Sequence, residues 1–333
     1  MYSSGDDTSA VTLRARERLE GNNYVRMKMS APFKTDSGEF NNKNILFNET
    51  FLAVGGDWGE LAAGRMSNIF SGAGDFGLCP HINPSSTGTN FANASLTPVF
   101  SSGWNFNNTL TYNSPRVNGF HVALQYSNAK ADDTVPRGDS DQVYNMVLTY
   151  MGGPWKFGLV TGYFDNSTQE LNGVQPNPEK NVALIGSYWP GDGWSFHAAY
   201  QYVRDGKGLG GSYFNYYTPK ANGGLGIARS SRGVDAHAVI LAMGKRFGNQ
   251  KISLALMGNR VEYQGDSVLP EGVRRVGYRV VPAGIYRYYF SKRTHLWAAA
   301  SYSNGYGLYE GARNSAIDPV QAVNFGMGLS HWF

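Results

Sequence analysis

The sequence predicts an all-β fold, a transmembrane antiparallel β-barrel, from three observations. Apolar and polar residues alternate with a period of two in many segments, as in strands that face lipid on one side and water on the other. Short and long connections between these segments also alternate along the chain. The longest unbroken hydrophobic run, Ala238–Met243, has six residues. A membrane-spanning helix requires roughly 20 residues, so the spanning elements must be strands.

The segment 324–333 shows the alternation well. One parity is mostly apolar and comprises Phe325, Met327, Leu329, His331 and Phe333. The other parity is small or polar until its last member and comprises Asn324, Gly326, Gly328, Ser330 and Trp332. Similar segments repeat through the chain, and their second face is mostly polar or small. That face suits a water-filled lumen better than a second hydrophobic core.

This alternation predicts fifteen strands. They cover residues 9–19, 23–32, 45–54, 58–66, 104–113, 118–128, 142–152, 154–165, 180–190, 193–204, 233–247, 250–263, 273–290, 293–303 and 320–333. Short turns such as 20–23 and 152–154 alternate with long connections such as 67–103 and 205–232. Short turns on one side of the membrane and longer loops on the other are typical of outer-membrane barrels. No linker interrupts the pattern, so residues 1–333 are predicted to form a single domain.

The odd number of predicted strands is unusual, because bacterial single-chain barrels have an even number. Residues 1–8 precede the first predicted strand. We therefore expect either that the first strand of the parent fold is missing from this sequence or that one of the fifteen predicted segments contains two strands. The segment Met1–Asp7 lacks the basic start and apolar stretch of a signal peptide, so we expect a mature, engineered or truncated N-terminus.

Composition excludes several classes of function. The net charge of +4 is too small to indicate nucleic-acid binding, and the single cysteine, Cys79, excludes an intrachain disulfide. The six histidines are scattered singly, without metal-ligand spacing, and neither a phosphate loop nor a nucleophile elbow is present. We predict no enzyme activity, no metal site and no cofactor.

Two neighbouring predicted strands carry basic residues on one parity and apolar residues on the other. The basic residues are Arg14 and Arg16 on the first strand and Arg26 and Lys28 on the second. An arginine that faces lipid costs roughly 2–4 kcal/mol at the bilayer midplane, so this parity is predicted to line the lumen. Ladders of Arg and Lys favour anions in a pore. The alternative is that these residues lie near a rim and face only bulk solvent.

Several segments resemble the Gram-negative general porins, especially the betaproteobacterial type. Phe51–Met66 is similar to the family's strand–turn–strand unit that ends in Gly-Arg. Asn107–Pro115, followed by Gly119–Ser127, is similar to the hairpin after the family's constriction loop. The terminal Phe333 matches the family's assembly signal. The resemblance covers essentially the whole chain.

The resemblance implies a 16-stranded barrel in the outer membrane of a Gram-negative bacterium. It also implies a homotrimer, embedded in outer-membrane lipid, that passes small hydrophilic solutes by passive diffusion. The third external loop, 67–103, is expected to fold into the barrel and narrow it; the alternative is an ordinary surface loop. A loop of this length without a strand pattern is uncommon unless it has a function.

The resemblance also suggests individual pore residues. Arg65 matches the arginine of the family's Gly-Arg motif on the pore wall, although it shares parity with Leu61 and Ala63. An inward direction would require a bulge or a strand end there. Asp75 is the single acid of the loop 67–103, so we expect it to oppose the basic wall and to leave a preference for anions. Thr111 stands where the family has an arginine, and Arg14 and Arg16 are expected to compensate.

Two alternative functions stay open from the sequence. A substrate-selective channel with a narrower eyelet would show a conductance that saturates with one solute. An adhesin or lectin-like β-sandwich would stay in water without detergent, whereas the apolar parity described above predicts aggregation.

Overall fold

The computed structural model describes most of the predicted strands and few of the long connections. The residues that it describes are 9–33, 37, 39–40, 49–69, 75, 105–128, 141–165, 173–206, 208–209, 214–215, 230–312 and 321–332. Phe333, and the loop 67–103 apart from residues 67–69 and Asp75, lie outside this set.

Within these residues the chain forms strands and one short 3-10 helix, Leu308–Ala312. The strands are β1 (Ala10–Arg18), β2 (Tyr24–Pro32), β3 (Thr50–Gly56), β4 (Gly59–Ser67), β5 (Asn105–Asn113), β6 (Phe120–Asn128), β7 (Gln142–Gly152), β8 (Trp155–Phe164), β9 (Glu179–Gly191), β10 (Trp194–Gly206), β11 (Gly208–Leu209), β12 (Phe214–Asn215), β13 (Val234–Phe247), β14 (Gln250–Tyr263), β15 (Val276–Tyr289), β16 (Thr294–Gly307) and β17 (Ala322–His331). No helix in the described ranges is long and apolar enough to cross a membrane.

Fifteen of these strands form one antiparallel sheet, in which each long strand pairs with the next one along the chain. The short strands β11 and β12 pair with each other between β10 and β13. Because neighbours in sequence are neighbours in the sheet, the tight turns all lie at one end, here called the short-turn end. The long connections all lie at the opposite end.

All fifteen predicted strands are confirmed, with boundaries that differ by a few residues. β16 extends to Gly307, four residues beyond its predicted end, and the small β11–β12 hairpin was not predicted. β3 begins at Thr50 rather than at residue 45; residues 45–48 of the predicted strand lie outside the described part of the chain. The period-two pattern therefore located the strands, while their ends depend on local hydrogen bonding.

The sheet has two chemically different faces. On the outer face, apolar side chains are exposed, and Leu184, Leu241 and Leu256 are each more than half accessible. Aromatic rings lie near both ends of this face: the Trp155 and Tyr188 centroids are 4.3 Å apart at the short-turn end. Tyr126 and Tyr144 are 5.2 Å apart at the other end. An exposed apolar band between aromatic girdles is the surface that a bilayer requires.

The inner face is less uniformly polar than the sequence analysis expected. One cross-strand row runs through Ile185, Ala199, Ile240, Met257 and Val281, and every member is at least nine-tenths buried. The expectation of a mostly polar or small inner face is wrong for this row. Alternation requires only that the outer parity be apolar, and an inner residue can also be apolar where other parts of the chain cover it.

Candidate functional site: a charged network on the inner wall

The first strands place the four predicted cations on one face of the sheet. Arg14 pairs with Lys28, and Arg16 pairs with Arg26, across β1 and β2. On β3, Phe51 lies opposite Lys28 and Ala53 lies opposite Arg26. Phe51 and Ala53 are buried, whereas Leu52 between them is exposed. The cations therefore share the inner parity, because side chains directly opposite each other in a ladder point to the same face.

Asp75 brings the long connection after β4 into contact with this wall. Lys28 Nζ donates a hydrogen bond to Asp75 Oδ1 at 2.7 Å, and Arg26 Nη1 donates to Oδ2 at 2.8 Å. Arg14 Nη2 lies 3.4 Å from Oδ1. One carboxylate thus contacts cations from two neighbouring strands. The loop residue and the basic residues that the sequence analysis selected form one cluster, apart from Arg16 and Arg65.

Glu60 is a second acid of the cluster, and the sequence analysis did not select it. Arg26 grips its carboxylate with two parallel hydrogen bonds, from Nε at 2.7 Å and from Nη2 at 2.6 Å. The Tyr24 hydroxyl donates a third bond at 2.8 Å. Bidentate arginine–carboxylate pairs are among the strongest and most directional side-chain contacts. The available signal was parity, because Glu60 shares the inner parity of β4 with the buried Ala62.

Glu49 is a third acid that the sequence analysis missed. Its carboxylate accepts a hydrogen bond from Lys28 Nζ at 2.5 Å, and it also accepts bonds from the backbone N–H groups of Ser67 and Asp75. The side chains of Lys28 and Glu49 are only 8% and 3% exposed. Glu49 directly precedes β3 and shares the parity of Phe51, so its inward direction follows from the same alternation.

The charges of this network divide into a balanced part and an exposed part. Arg26, Lys28, Glu49, Glu60 and Asp75 are held together by the contacts described above. The other basic residues on the inner parity of β1–β4 lie on β1 and are exposed: Arg14, Arg16 and Arg18. The guanidinium of Arg16 stacks over the Tyr24 ring at 3.8 Å. Arg14, Arg26 and Lys28 match the three carboxylates in number, so within β1–β4 the excess positive charge of the inner wall resides on β1.

The structure does not bring Arg65 into this cluster. In the β3–β4 ladder, Arg65 lies opposite Thr50 and keeps the parity of Leu61, whose side chain is exposed on the outer face. Its guanidinium donates a hydrogen bond to the Asn107 side chain. The pairing of β4 with β5 shifts by one residue between Gly64 and Met66. The extra residue of this bulge lies on β5, so side chains along β4 keep alternating between the two faces.

Position in the network lowers the pKa of Asp75. Burial alone would raise the pKa of this carboxyl group. The hydrogen bond and positive charge of Lys28, together with Arg26 and Arg14, favour the ionised form more strongly, so the pKa lies below its ordinary value of 3.8. Asp75 is therefore an anion at neutral pH, which is the state in which it can contact its cationic partners.

The stabilising effect of Asp75 should depend on pH in a defined direction. Because the folded-state pKa is the lower one, the contribution is complete above the ordinary pKa and is lost as the pH falls through the folded-state value. We expect the difference in unfolding free energy between the unaltered protein and Asp75→Asn to stay constant from about pH 7 to about pH 5 and to shrink in stronger acid. Urea unfolding at each pH measures it. A difference that declined already near pH 6 would contradict the lowered pKa.

An apolar outer face, consecutive antiparallel strands and a charged inner wall define an integral membrane channel of the β-barrel class. The chain belongs to the Gram-negative porin family, whose sequence profile matches residues 2–307. The protein is therefore an integral outer-membrane β-barrel that acts as a passive channel and not as an enzyme. Family membership also removes the lectin-like alternative.

Individual relatives agree with this assignment. An outer membrane porin protein of Bordetella pertussis is 25% identical over 344 residues, which cover 96% of this chain and 81% of the relative. Among solved structures, the anion-selective porin from Comamonas acidovorans matches with a TM-score of 0.68 at 19% identity, covering 99% of this chain and 91% of that chain. OmpT of Vibrio cholerae in its trimer form matches with a TM-score of 0.61 at 14% identity, covering 98% and 92%. At these identities the solved structures establish the shared fold.

Proposed function

We propose that this porin passes small hydrophilic solutes and ions by passive diffusion and prefers anions, with the charged network as its constriction. The observation that carries the proposal is the contact of Asp75 with Arg26 and Lys28. Asp75, eight residues after the end of β4 and within the long connection 67–103, reaches the inner wall at mid-strand. A loop anchored there reduces the cross-section of the lumen.

The preference for anions follows from the part of the network that remains exposed to water. The ion pairs of the partly buried Arg26 and the buried Lys28 place opposite charges side by side and leave little net field. Arg14, Arg16 and Arg18 form an exposed row on β1, and a row of one sign concentrates counter-ions in a narrow water-filled space. The anion-selective Comamonas porin, which shares the fold, supports this direction of selectivity.

The remaining assignments extend the same proposal. Residues 1–333 form one barrel domain, and the terminal Phe333 acts as the assembly signal. We also propose a homotrimer in outer-membrane lipid, which the trimer form of OmpT supports. Arg65 contacts Asn107 on the outer parity of β4, so it is not part of the proposed constriction.

A planar bilayer under a KCl gradient tests the function. We expect stepwise currents with a reversal potential on the anion-selective side. The triple variant Arg14→Gln, Arg16→Gln, Arg18→Gln should keep the steps and lose most of the anion preference. Lys245→Gln is the matched control, because Lys245 lies on the outer face over the Trp194 ring. Cation-selective currents from the unaltered protein would overturn the proposed preference, and absence of steps from folded protein would overturn the channel itself.

A further inference from the structure

A row of aromatic and basic residues crosses the outer face of the sheet, at the end where the long connections lie. Each member lies directly opposite the next one in the ladders from β6 to β10. The row, here called the outer-face row, consists of three tyrosines followed by two cations: Tyr126, Tyr144, Tyr163, Lys180 and Arg204. Long connections lie on the external side of outer-membrane barrels, so the row is at the level of the outer leaflet.

The exposure of the row members places them on the outer face. Tyr144 and Tyr163 are 47% and 36% exposed, and Lys180 and Arg204 are exposed as well. Their neighbours of opposite parity along the strands are buried, namely Asn145, Asn181 and Val203. A lipid-facing cation is strongly unfavourable at the bilayer midplane but costs little near the interface. The two cations therefore lie at the level of the lipid headgroups, beside the aromatic girdle.

Lys180 has no acidic partner on the protein within the part of the chain that the structure describes. Its recorded side-chain contact is with the Tyr163 ring, whose centroid lies 5.9 Å from Lys180 Nζ. Asp165 follows β8 on the loop side of the row, where its backbone N–H bonds to the Gln142 carbonyl on β7 rather than to β9. The charge of Lys180 is therefore left to the lipid or the water around it.

Arg204 adds a second, weakly paired cation directly opposite Lys180. Arg204 Nε lies 3.7 Å from the carboxylate of Asp205. That carboxylate already accepts a hydrogen bond from Arg232 Nε at 2.6 Å. Since Asp205 is engaged mainly by Arg232, the outer-face row keeps an excess of positive charge at its Lys180 end.

An apolar groove of about 700 Å³ opens on the outer face beside the row. Its floor contains Leu124, Met146 and Thr161, which occupy the next outer positions towards the bilayer centre. Thr161 is the short side chain of this floor, and it lies directly opposite the longer Met146. Lys180 lines the groove at its external end. An apolar depression with a cation at its headgroup end matches the shape and charge of an anionic amphiphile.

The strands that carry the groove are long enough to span the bilayer without a protein partner. β7, β8, β9 and β10 have 11, 10, 13 and 13 residues, and a tilted membrane strand requires about 9–11. A protein partner on this wall would have to desolvate two cations, which is costly without opposing charges. An anionic lipid supplies both the hydrocarbon and the opposing charge, so lipid is the occupant that fits.

We propose that the outer-face row and its groove bind one anionic lipid of the outer leaflet. The lipid phosphate contacts Lys180 and Arg204, and an acyl chain lies in the groove over Thr161. Opposite side chains in a ladder are about 5 Å apart at Cβ, which allows both cations to contact the oxygens of one phosphate. The site faces lipid and not the lumen, so the inference is independent of the proposed ion selectivity.

Native mass spectrometry of the folded protein, released from detergent micelles, tests this site with two lipids of identical chains. The probes are dioleoyl phosphatidylglycerol, which is anionic, and dioleoyl phosphatidylcholine, which has no net charge. The first bound phosphatidylglycerol should half-saturate the unaltered protein at the lower concentration. Each basic residue near an anionic lipid surface contributes a factor of about five. We therefore expect Lys180→Gln to raise this concentration about fivefold, and Lys180→Gln with Arg204→Gln about 25-fold, with phosphatidylcholine binding unchanged.

Lys245→Gln is the matched control, because it removes an outer-face cation that lies over the Trp194 ring at the opposite, short-turn end; phosphatidylglycerol binding should not change. Glycerol phosphate, the headgroup without chains, should not displace the bound lipid at an equal concentration. Gel mobility without heating checks folding, and the reversal potential in a KCl gradient should stay the same in both variants. Equal half-saturation by the two lipids, or unchanged phosphatidylglycerol binding in the double variant, overturns the site and leaves the porin function standing.

Discussion

Replacing Lys28 with methionine is expected to destabilise the folded protein by about 3–5 kcal/mol, the cost of breaking a buried ion pair from one side. Lys28 and Glu49 are both more than nine-tenths buried. The variant leaves the Glu49 carboxylate with backbone N–H donors from Ser67 and Asp75 but without its cation. Urea unfolding in detergent micelles, followed by tryptophan fluorescence, measures the loss.

Two further variants separate the buried pair from a general effect of charge. Lys28→Met combined with Glu49→Gln should recover at least half of the lost stability, because no uncompensated buried charge remains. Arg16→Met removes an exposed cation that stacks on Tyr24 and should cost about 0.5–1 kcal/mol. If Lys28→Met cost no more than Arg16→Met, the buried pair would contribute nothing specific to the fold.

Replacing Asp75 with asparagine is expected to produce the largest change in ion selectivity. Asp75 is the carboxylate that neutralises Arg14. It also shares Arg26 with Glu60 and Lys28 with Glu49. Its removal adds one net positive charge to the narrow part of the lumen. One charge at about 4 Å in water changes the energy of a monovalent ion by about 1 kcal/mol, a factor of about five. The change has opposite signs for anions and cations, so the anion-to-cation permeability ratio is expected to rise up to about 25-fold.

The reversal potential in a KCl gradient reports this change directly. Asp57→Asn is a suitable control, because Asp57 accepts a hydrogen bond from Asn22 in the exposed turns at the short-turn end and has no contact with the described network. An unchanged permeability ratio in Asp75→Asn would show that the loop carboxylate does not lie in the ion pathway. A shift of equal size in Asp57→Asn would show that the effect is not local.

These two predictions assign different roles to neighbouring residues of one network. Lys28 and Glu49 are buried, so their pairing affects mainly stability, and the anchored loop depends on it. Asp75 is 19% exposed and lies between the buried pair and the exposed Arg14. Its charge therefore acts both on the basic residues of the inner wall and on the ions in the water of the lumen. An exposed cation such as Arg16 affects the field with little effect on the fold.

Parity alone predicted much of the site. The inward direction of Arg14, Arg16, Arg26 and Lys28 follows from the apolar residues between them, since a strand presents successive side chains to opposite faces. The same rule pointed to Glu49 and Glu60, which the sequence analysis overlooked because it sought the opposing acids only in the long loop. The rule also warned against Arg65, whose parity in the β3–β4 ladder is that of the outer face.

Residue alternation was enough to predict the strands, their order and the residues that share a face, because alternation is a local property with a period of two residues. Which charges come into contact could be seen only in the folded protein. Asp75 reaches Lys28 across 47 positions of sequence, and Lys180 and Arg204 align only through the register of β9 and β10. Cross-strand register and loop path depend on hydrogen bonds between distant segments, and no local pattern of residues encodes these contacts.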